Sequence, residues 1–398
     1  MRRILILYEL PFQIILKSQP FRSLQRGRDG GFGVKYYGST VQFTAMYYLK
    51  GAASPVFFER NEQYLKSLMI ALLILKNMTL GGFLEIEKGN GSGVCVLLSA
   101  YKPNLKFFAD QLDSIDEQTF PVTLLVRNDC PESTSLEWFI QEHIKKNAYR
   151  YYHGDKNLGY VKSFEALLSL AEGDYVVFCD QDDIWEPNRV QVSLNHMLEE
   201  GSILDVCDRS VIDENGNMLV ESYRQAHPNS PEVNWCTGED ITVQAASVCY
   251  GIGMALMLDA SAAKSMIPFP ESTAHDLWLT LGCSELGKCS FTATPLVKYR
   301  RHGGNETGFL TGVASKDDWY STRVKNRIDT AKQFADRFPD SPHLKEIMGF
   351  ADARERRSII GLLKYRRACP SIAIAEIIMR LVPNWLFLLI LKKLKEAK

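Results

Sequence analysis

Three carboxylates follow an apolar run near the middle of the chain. The run covers residues 175–179, and Asp180, Asp182 and Asp183 come directly after it. A short run rich in valine and aromatic residues is typical of a buried parallel strand, and open α/β sheets bind ligands at the carboxyl ends of such strands. We predict that Asp180 and Asp182 share one face. Since close carboxylates need a cation or a proton between them, the pattern predicts a divalent metal that holds a diphosphate.

Two other interpretations of the acidic cluster compete with this one. One is a solvated turn, because aspartate is common where chains reverse direction. The other is an EF-hand loop that begins at Asp180. That loop requires Gly at its sixth position and Glu at its twelfth, where this chain has Trp185 and Gln191. The EF-hand is therefore excluded, and the solvated turn remains an alternative.

The elements around this cluster alternate between strand-like and helix-like segments over residues 94–300. This alternation predicts an α/β fold with a mostly parallel sheet flanked by helices. We expect a polar stretch with turn signals, residues 222–238, to be a mobile surface loop. The apolar patterns predict strands at 94–99 and 122–126, and helices at 105–118, 162–171 and 188–199.

The two ends of the chain differ from this central region. Residues 1–92 have no clear periodicity, and their glycines lack the context of a phosphate loop, so this region has no predicted role. Residues 88–93 are typical of a flexible linker. We therefore divide the chain into a region of unknown role (1–92), an α/β domain (93–310) and a helical region (311–398).

The helical region ends in an aromatic and aliphatic run, residues 385–391, followed by a cluster of four lysines: Lys392, Lys393, Lys395 and Lys398. Seven consecutive apolar residues cover every side of a helix, so we expect this segment to lie on an anionic membrane surface. The alternative is a C-terminal helix that packs on the core and carries a solvated basic tail.

Composition narrows the class of protein. The 398 residues are 46% hydrophobic and 23% charged, as in an ordinary globular protein, and the net charge of −1 gives no support to nucleic-acid binding. The nine cysteines form no CxxC pair, which argues against a zinc ribbon and favours a reducing cytoplasm. We expect neither a signal peptide nor a transmembrane helix.

Several short motifs, taken in order, are similar to family 2 glycosyltransferases of the GT-A fold. Each motif alone is weak, but the ordered set is specific, and the resemblance covers about residues 94–305. The motifs lie at residues 96–101, 126–129, 157–159, 173–175, 180–185 and 275–278.

This resemblance implies where the nucleotide sugar and its metal would bind. Ser99 and Tyr101 match the segment that holds the nucleotide base. Family members usually have an acidic pair after the second strand, where this chain has Asn128 and Asp129, so only Asp129 can supply the carboxylate. Asp180 and Asp182 match the DxD motif. Asp182 is the expected direct metal ligand, and Asp180 is expected near the ribose and a metal-bound water.

Three further positions are assigned by the same resemblance, each with an alternative. His302 matches a C-terminal histidine that completes the metal or diphosphate site; a lone histidine is also commonly structural or solvated. Lys162 could reach the donor phosphates, or it could be a solvated lysine. Gly253 matches a segment where the backbone approaches the donor sugar, and the alternative is a bulge in a strand.

Asp276 is the expected catalytic base. It stands at the start of a predicted helix, where aspartate also serves as a cap, and capping is its alternative role. In the family, a carboxylate at this position removes the proton of an acceptor hydroxyl as that hydroxyl attacks the anomeric carbon. One direct displacement inverts the anomeric centre.

The combination of motifs resembles bacterial rhamnosyltransferases in particular. That resemblance implies a dTDP-rhamnose donor, with UDP-sugars as alternatives, and a growing cell-surface polysaccharide or lipid-linked glycan as the acceptor. The acidic cluster and the DxD match predict Mn²⁺ or Mg²⁺, and the cysteine usage together with the C-terminal run predicts a place in the cytoplasm at the inner face of the membrane. A sugar nucleotidyltransferase is less favoured, because residues 99–103 are not a phosphate loop. A non-catalytic binding module with the same fold remains the other alternative.

Overall fold

The computed structural model describes residues 93–303 except residue 134, residues 313–396, and five strands within the first 59 residues. The chain divides into two compact units, Met1–Gly89 and Asn90–Lys398. The remainder of 1–92, including most of the predicted linker, lies outside the described residues, and so do the side chains of the last two lysines of the cluster. In the first unit, β1 (Leu5–Ile6) and β2 (Ile15–Leu16) form an antiparallel pair. The strands β3 (Gly33–Tyr37), β4 (Thr40–Tyr47) and β5 (Val56–Glu59) form an antiparallel sheet.

The second unit is built on one large sheet. Its strands are β6 (Val94–Ala100), β7 (Thr123–Asn128), β8 (Ala148–His153), β9 (Tyr175–Cys179), β10 (Ile184–Trp185), β11 (Leu204–Ile212), β12 (Met218–Val220), β13 (Leu256–Asp259) and β14 (Cys289–Arg300). They are arranged in the order β10-β14-β11-β13-β9-β6-β7-β8, and β12 pairs with β11.

The sheet is mixed, although most of its strands share one direction. The neighbours β9, β6, β7 and β8 are parallel, and so are β11 and β14. The strand β13 runs antiparallel between β9 and β11, while β10 and β12 are antiparallel to their partners. The predicted α/β fold with flanking helices is confirmed. The carboxyl ends of β6, β7 and β9 therefore meet at one edge, which positions the acidic cluster.

Helices cover this sheet on both faces. They are α1 (Leu105–Asp116), α2 (Leu136–His143), α3 (Gly159–Leu170), α4 (Arg189–Glu200), α5 (Tyr223–Ala226), α6 (Thr242–Ala245), α7 (Ala260–Ser265) and α8 (His275–Leu286), with a 3₁₀ turn at Gly253–Ala255. The predicted helices at 105–118, 162–171 and 188–199 correspond to α1, α3 and α4, and α3 begins three residues earlier than expected.

The helix α1 shows how local sequence places these elements. The side chain of Asn104 caps its first turn by accepting hydrogen bonds from the amides of Lys106 and Phe107. Its apolar residues Phe108 and Leu112 are four positions apart, so they share one face, and both are fully buried in the core. The same core contains both faces of β6 and β9, as expected for strands covered on two sides.

The segment 222–238 is only in part the free surface loop that its polar sequence predicted. Ser222 Oγ donates a 2.6 Å hydrogen bond to Asp208 Oδ2, and α5 follows directly. Trp235 is only 1% exposed and meets the ring of Phe291 edge-on at 5.4 Å. The prediction holds for residues 225–229, which are exposed, and fails at Trp235, because turn residues mark where the chain reverses whereas burial of Trp235 depends on a distant strand.

The C-terminal region is helical, as predicted. It contains α9 (Lys316–Asp318), a π-helical turn (Trp319–Val324), α10 (Lys325–Arg337), α11 (Leu344–Glu355), α12 (Ile359–Lys364), α13 (Pro370–Leu381) and α14 (Asn384–Glu396). Buried residues of α10 and α11, among them Phe334 and Ile347, belong to the same core as the sheet. No helix among the described residues is long and apolar enough to cross a membrane.

Candidate active site

The acidic cluster lies in a turn rather than on a strand. The strand β9 ends at Cys179 and β10 begins at Ile184, so Asp180 and Asp182 occupy the connection between them. The expectation that these two residues share a face in strand geometry was therefore wrong. The strand ends earlier because β10 turns away to pair with β14. The predicted position of the cluster, directly after a buried strand at the carboxyl edge of the sheet, agrees with the structure.

Asp182 and His302 meet in this turn although they are far apart in sequence. Asp182 Oδ2 lies 2.8 Å from His302 Nε2, and their side chains are 19% and 15% exposed. The ring of Phe107 packs against the imidazole with 5.1 Å between centroids. Two of the three predicted metal ligands are thus adjacent, and both are partly shielded from water. Asp180 stands two residues before Asp182 in the same turn.

Asp183 is the most deeply buried carboxylate of the cluster. It has no exposed surface, and its Oδ1 accepts a 2.9 Å hydrogen bond from the amide of Arg300. Its Oδ2 has no hydrogen-bond partner within the described part of the chain. Burial, followed by the charges of Asp182 and Asp180, raises the pKa of this carboxyl well above its usual range. Asp183 was seen in the sequence as part of the motif, but its burial could not be predicted.

Arg300 holds the acidic turn in place. Its Nε donates to the backbone oxygen of Asp182 at 2.9 Å, and its Nη2 donates to Asp110 Oδ2 at 2.8 Å. The guanidinium also lies over the ring of Phe107, 4.5 Å from its centroid. The side chain is almost completely buried. No role for Arg300 was predicted from the sequence, where its only signal is its position two residues before His302.

The predicted nucleotide-binding segment lies beside the same turn. Ser99 is in the last part of β6, which pairs with β9, so both strands end at one edge. The amide of Tyr101 donates to Gln181 Oε1 at 2.9 Å, and Gln181 Nε2 donates to the backbone oxygen of Tyr101 at 3.3 Å. Tyr101 is 40% exposed, and the ammonium of Lys102 lies over its ring, 5.2 Å from the centroid. Ser99 and Tyr101 remain predicted base contacts.

Asp129 makes several contacts within the protein. Its carboxylate accepts hydrogen bonds from the amides of Leu158 and Gly159, between 2.8 and 3.1 Å, at the start of α3. Arg127 Nη2 contacts the same carboxylate at 3.3 Å. Asp129 is only 2% exposed. In this geometry the residue stabilises the N-terminus of α3, as carboxylates do there, and a contact with a nucleotide base stays a prediction.

The side chain of the neighbouring Asn128 also forms its hydrogen bonds within the protein. It is fully buried, its Nδ2 donates to the backbone oxygen of Ser133 at 2.7 Å and to Tyr151 Oη at 3.0 Å, and its Oδ1 accepts from the amide of Cys130. An amide both donates and accepts at this position, which a carboxylate could not do. This explains physically why Asn128 suits the site.

Lys162 contacts protein atoms rather than the acidic turn. Its ammonium donates to Glu165 Oε2 at 2.9 Å and to the backbone oxygen of Phe269 at 2.7 Å. Glu165 in turn accepts a hydrogen bond from the amide of Phe269. These contacts join α3 to the segment that precedes α8. The contact of Lys162 with donor phosphates stays a prediction that this arrangement does not favour.

Gly253 and Asp276 are brought together in the structure, a contact that was not predicted from the sequence. Asp276 is the second residue of α8; its Oδ1 accepts from the amide of Leu277 at 2.7 Å and its Oδ2 accepts from the amide of Gly253 at 3.3 Å. The carboxylate is partly exposed. Two backbone amides therefore fix its direction, and one of them comes from the predicted glycine segment.

His275 directly precedes Asp276 in the chain, and its side chain is buried. It is 5% exposed, stacks on the ring of Phe164 with 4.3 Å between centroids, and neither of its ring nitrogens has a hydrogen-bond partner among the residues described. Burial lowers its pKa, so the ring stays neutral. A Cβ added to Gly253 would lie 2.9 Å from His275 Nε2. Close approach to this ring explains why a glycine stands at position 253.

The residues present fit a divalent cation that shares its coordination with a ligand. No group of three or more His, Cys, Asp or Glu side chains is arranged to hold a metal in the ranges that the structure covers. Asp182 and His302 are nevertheless adjacent, and Asp183 Oδ2 is a buried oxygen without a hydrogen bond. Mg²⁺ is usually bound by one or two carboxylates together with substrate phosphates. The site therefore suits Mn²⁺ or Mg²⁺ completed by a diphosphate.

The mixed α/β sheet with its flanking helices is similar to the GT-A fold of glycosyltransferases. Residues 95–255 match the model of glycosyl transferase family 2. This segment is therefore similar to the family 2 glycosyltransferases. The matched segment ends before Asp276 and His302, so the family model does not cover these two residues.

Two individual proteins illustrate the similarity. The uncharacterized glycosyltransferase MJ1057 of Methanocaldococcus jannaschii is 30% identical over 132 residues, which is 32% of this chain and 45% of that protein. The chain thus spans less than half of the length of this relative. A crystal structure of S. aureus TarS 1–349 in complex with UDP-GlcNAc has a TM-score of 0.50 and 16% identity, covering 71% of this chain and 83% of TarS 1–349. This likeness shows the fold.

Proposed function

We propose that the protein is a metal-dependent, inverting glycosyltransferase that moves a sugar from a nucleoside diphosphate sugar to an acceptor hydroxyl. The observation that carries this proposal is the pairing of Asp182 with His302 at the edge of a domain similar to the family 2 glycosyltransferases. Asp276, whose carboxylate accepts a hydrogen bond from the amide of Gly253, supplies a second carboxylate with a different proposed role. One acidic group suits a metal diphosphate, and the other suits proton transfer.

Asp180, Asp182 and His302 would hold the cation. A bound Mn²⁺ or Mg²⁺ neutralises negative charge on a departing diphosphate. The contribution of the chain itself is to fix the donor groups before the substrate binds. Arg300 does this by binding the backbone oxygen of Asp182, and Phe107 does it by packing against His302. Such preorganisation avoids a reorganisation cost at the moment of reaction.

Asp276 is the proposed general base. Its two backbone hydrogen bonds orient the carboxylate while leaving part of it accessible. It would accept the proton of the acceptor hydroxyl as the oxygen forms its bond to the anomeric carbon and the bond to the diphosphate breaks. A positioned base contributes about 10²–10⁴-fold to the rate. Because one displacement completes the transfer, the anomeric centre is inverted and no enzyme nucleophile is needed.

The resemblance to bacterial rhamnosyltransferases supports dTDP-rhamnose as the donor, with UDP-sugars as the next candidates. The structure of S. aureus TarS contains UDP-GlcNAc, a donor of the second kind. The proposed acceptor is a hydroxyl of a growing cell-surface polysaccharide or of a lipid-linked glycan. Ser99, Tyr101, Asp129 and Asp180 would contact the nucleotide, and Gly253 would lie near the transferred sugar. Lys162 is the weakest of these assignments, given its contact with Glu165.

We also propose that the protein works in the cytoplasm at the inner face of the membrane, bound through its C-terminal region. In this division, residues 93–310 carry the chemistry and residues 311–398 provide the membrane contact. Large apolar side chains of α13 and α14, such as Leu381 and Trp385, are 71% and 66% exposed, which supports the membrane contact.

The proposal is tested by measuring nucleoside diphosphate release across a panel of donors, with Mn²⁺ or Mg²⁺ and with or without membrane-lipid extract. Asp276→Asn is expected to lower transfer about 10²–10⁴-fold without weakening donor binding. Asp182→Ala should lose the response to metal. Asp336→Asn is a matched control, because Asp336 is an exposed aspartate on α10.

The alternatives predict different products. A sugar nucleotidyltransferase would release pyrophosphate, and a non-catalytic module would bind a donor without releasing either product. Full transfer by Asp276→Asn would exclude Asp276 as the base. Metal dependence that is unchanged in Asp182→Ala would exclude it as a ligand. Release of nucleoside diphosphate from one donor, lost in both variants, would identify the sugar.

A further inference from the structure

A cavity of about 300 Å³ lies in the C-terminal helical region, apart from the acidic turn. It is partly open to solvent and is lined by the first helical turns after residue 313, by Arg357 and by the last two helices, α13 and α14. Three basic side chains, Lys316, Arg357 and Arg380, line it, and they are opposed by a single acidic side chain, Asp317, among the lining residues. The cavity is therefore positively charged.

Arg380 is the central feature of this cavity. Its side chain is only 11% exposed, and no acceptor forms a hydrogen bond with its Nε, Nη1 or Nη2 in the described part of the chain. The nearest carboxylate oxygen, Glu376 Oε2, is 4.0 Å from Nη2, and Glu376 already binds Arg354 Nε at 2.7 Å. A buried guanidinium with unused donors is costly. A ligand that supplies acceptor oxygens would satisfy these donors.

One other group in the cavity is a buried donor without a partner in the part of the chain that the structure describes, and two further cations lie beside it. The hydroxyl of Tyr320 is buried and has no hydrogen-bond partner among the described residues. The exposed guanidinium of Arg357 lies over the Tyr320 ring, 3.9 Å from its centroid, which holds its charge at the cavity. The ammonium of Lys316 donates to the backbone oxygen of Val382, which lies between α13 and α14 and so fixes the ammonium at their junction. A phosphate group matches three cations and a hydroxyl donor.

The helices that form the cavity also expose apolar side chains. On α13, Ile374, Ile378 and Leu381 are spaced four and three residues apart, and each is more than half exposed. On α14, Trp385, Leu388 and Leu389 have the spacing of one helix face and are between 48% and 66% exposed. Leu388 belongs both to this face and to the cavity lining. The apolar face is thus continuous with the basic cavity.

We propose that this cavity binds the phosphate of an anionic membrane lipid while α13 and α14 lie in the surface of the bilayer. The planar guanidinium of Arg380 can form two parallel hydrogen bonds with a phosphate. The apolar residues around it enter the region of the acyl chains, and the exposed Lys392 and Lys393 lie close to an anionic surface. The inference rests on the membrane contact proposed above and assigns a chemical partner to it.

Charge and apolar surface together favour a lipid over a free phosphate. A soluble anion would use the three basic groups but would leave the exposed leucines and isoleucines in water. A bilayer that contains acidic headgroups covers both features at once. The occupant we propose is therefore a lipid headgroup at a membrane surface.

The test is flotation of the full-length protein with vesicles of phosphatidylcholine alone, or mixed with phosphatidic acid or phosphatidylglycerol. Wild-type protein should bind the anionic vesicles. Arg380→Gln should weaken this binding more than about twentyfold, because it removes the buried phosphate contact as well as a charge. Arg356→Gln is the matched control: Arg356 is 75% exposed and pairs with Asp352, so its loss should cost about fivefold or less.

Several outcomes would overturn the inference. Equal losses in Arg380→Gln and Arg356→Gln would mean diffuse charge attraction without a site. Failure of the wild-type protein to bind any anionic vesicle would exclude the lipid, and a thermal shift with inorganic phosphate or pyrophosphate in that case would assign the cavity to a soluble anion. If Arg380→Gln does not fold, Arg357→Gln serves as the second variant, because Arg357 is exposed; it should lose more than Arg356→Gln.

Activity in solution separates this inference from the proposed function. Release of nucleoside diphosphate in the absence of vesicles should be the same in Arg380→Gln and in the wild-type protein. If release persists but no lipid binding occurs, the cavity inference fails and the transferase stands. If binding is lost as expected but neither protein releases product from any donor, the proposed function fails and the lipid site stands.

Discussion

Asp182 and His302 are separated by 120 residues in the chain, yet Asp182 Oδ2 lies 2.8 Å from His302 Nε2. One residue follows β9 and the other follows β14, which are not neighbours in the sheet. The short strand β10 directly follows the acidic turn and pairs with β14. This pairing places the turn next to the end of β14. The contact therefore depends on a two-residue strand.

Replacing His302 tests whether this pair holds a metal. His302→Gln should raise the Mn²⁺ concentration needed for half-maximal nucleoside diphosphate release about tenfold to a hundredfold, since a group at the metal is lost. His227→Gln is the control, because His227 is exposed and stacks on Tyr223. A metal titration that is identical in His302→Gln and wild-type protein would restrict His302 to a structural role.

Arg300 and Arg301 are adjacent but differ completely in environment. Arg300 is 1% exposed and binds Asp110, whereas Arg301 is exposed. Arg300→Met should lower the free energy of unfolding by about 1–3 kcal/mol, because it removes the hydrogen bonds of a buried guanidinium to the Asp182 backbone and to Asp110 and so releases the acidic turn. Arg301→Met should change it by less than about 0.5 kcal/mol. Chemical denaturation measures both, and equal effects would contradict the anchoring role of Arg300.

Gly253 should not tolerate a side chain. In Gly253→Ala the new Cβ would lie 2.9 Å from His275 Nε2, so we expect a loss of about 1–3 kcal/mol in stability and reduced transfer. His275→Ala removes the obstructing ring. The double variant should therefore be less destabilised than the sum of the two single variants, with a coupling of about 0.5–3 kcal/mol. Strict additivity would show that the two positions do not interact.

The raised pKa of His196 predicts that the stability of the folded protein depends on pH. Its hydrogen bond with buried Asp205, at 3.0 Å, is the main cause of a raised pKa, and the charges of Glu200 and Glu199 add to it. The protonated ring is favoured in the folded state, so its stabilisation is complete below the unfolded pKa of about 6.5 and is lost as pH rises through the folded value. His196→Gln should then cost about 1–2 kcal/mol at about pH 5.5 and less at about pH 9.

The control for the pH dependence of His196 is Asp205→Asn, which removes the negative partner. In that background, His196→Gln should cost nearly the same at both pH values. Thermal unfolding across the pH range measures the difference. A cost of His196→Gln that grows with rising pH would show that the protonated ring does not stabilise the folded state.

The sequence predicted those features of the site that are local. A valine-rich run that ends at Cys179 indicates a buried strand, and the position of Asp182 directly after it follows from the strand end. Asp276 was placed at the start of a helix by the same kind of reasoning, and it is the second residue of α8. These predictions depend on neighbours within a few residues, which is why they could be made.

The remaining features depend on contacts across the fold. The burial of Asp183 requires β14 to pair with β10, and its partner Arg300 is 117 residues away. Asp129 was expected at a nucleotide base, but its carboxylate meets the start of α3 because β7 ends opposite that helix. Lys162 likewise meets Phe269, more than a hundred residues on. The periodicity of a sequence depends on residues that are close in the chain, so it could not predict these long-range contacts.

Gln181 has a consequence for motion in the site. Its side-chain amide both donates to and accepts from the backbone of Tyr101, as a peptide group of an adjacent strand would do. The amide thus extends the ladder between β6 and β9 by one pair beyond the ends of both strands. The turn that bears the acidic residues and the segment that bears Tyr101 are consequently joined by two hydrogen bonds, so we expect a ligand that displaces either segment to displace the other with it.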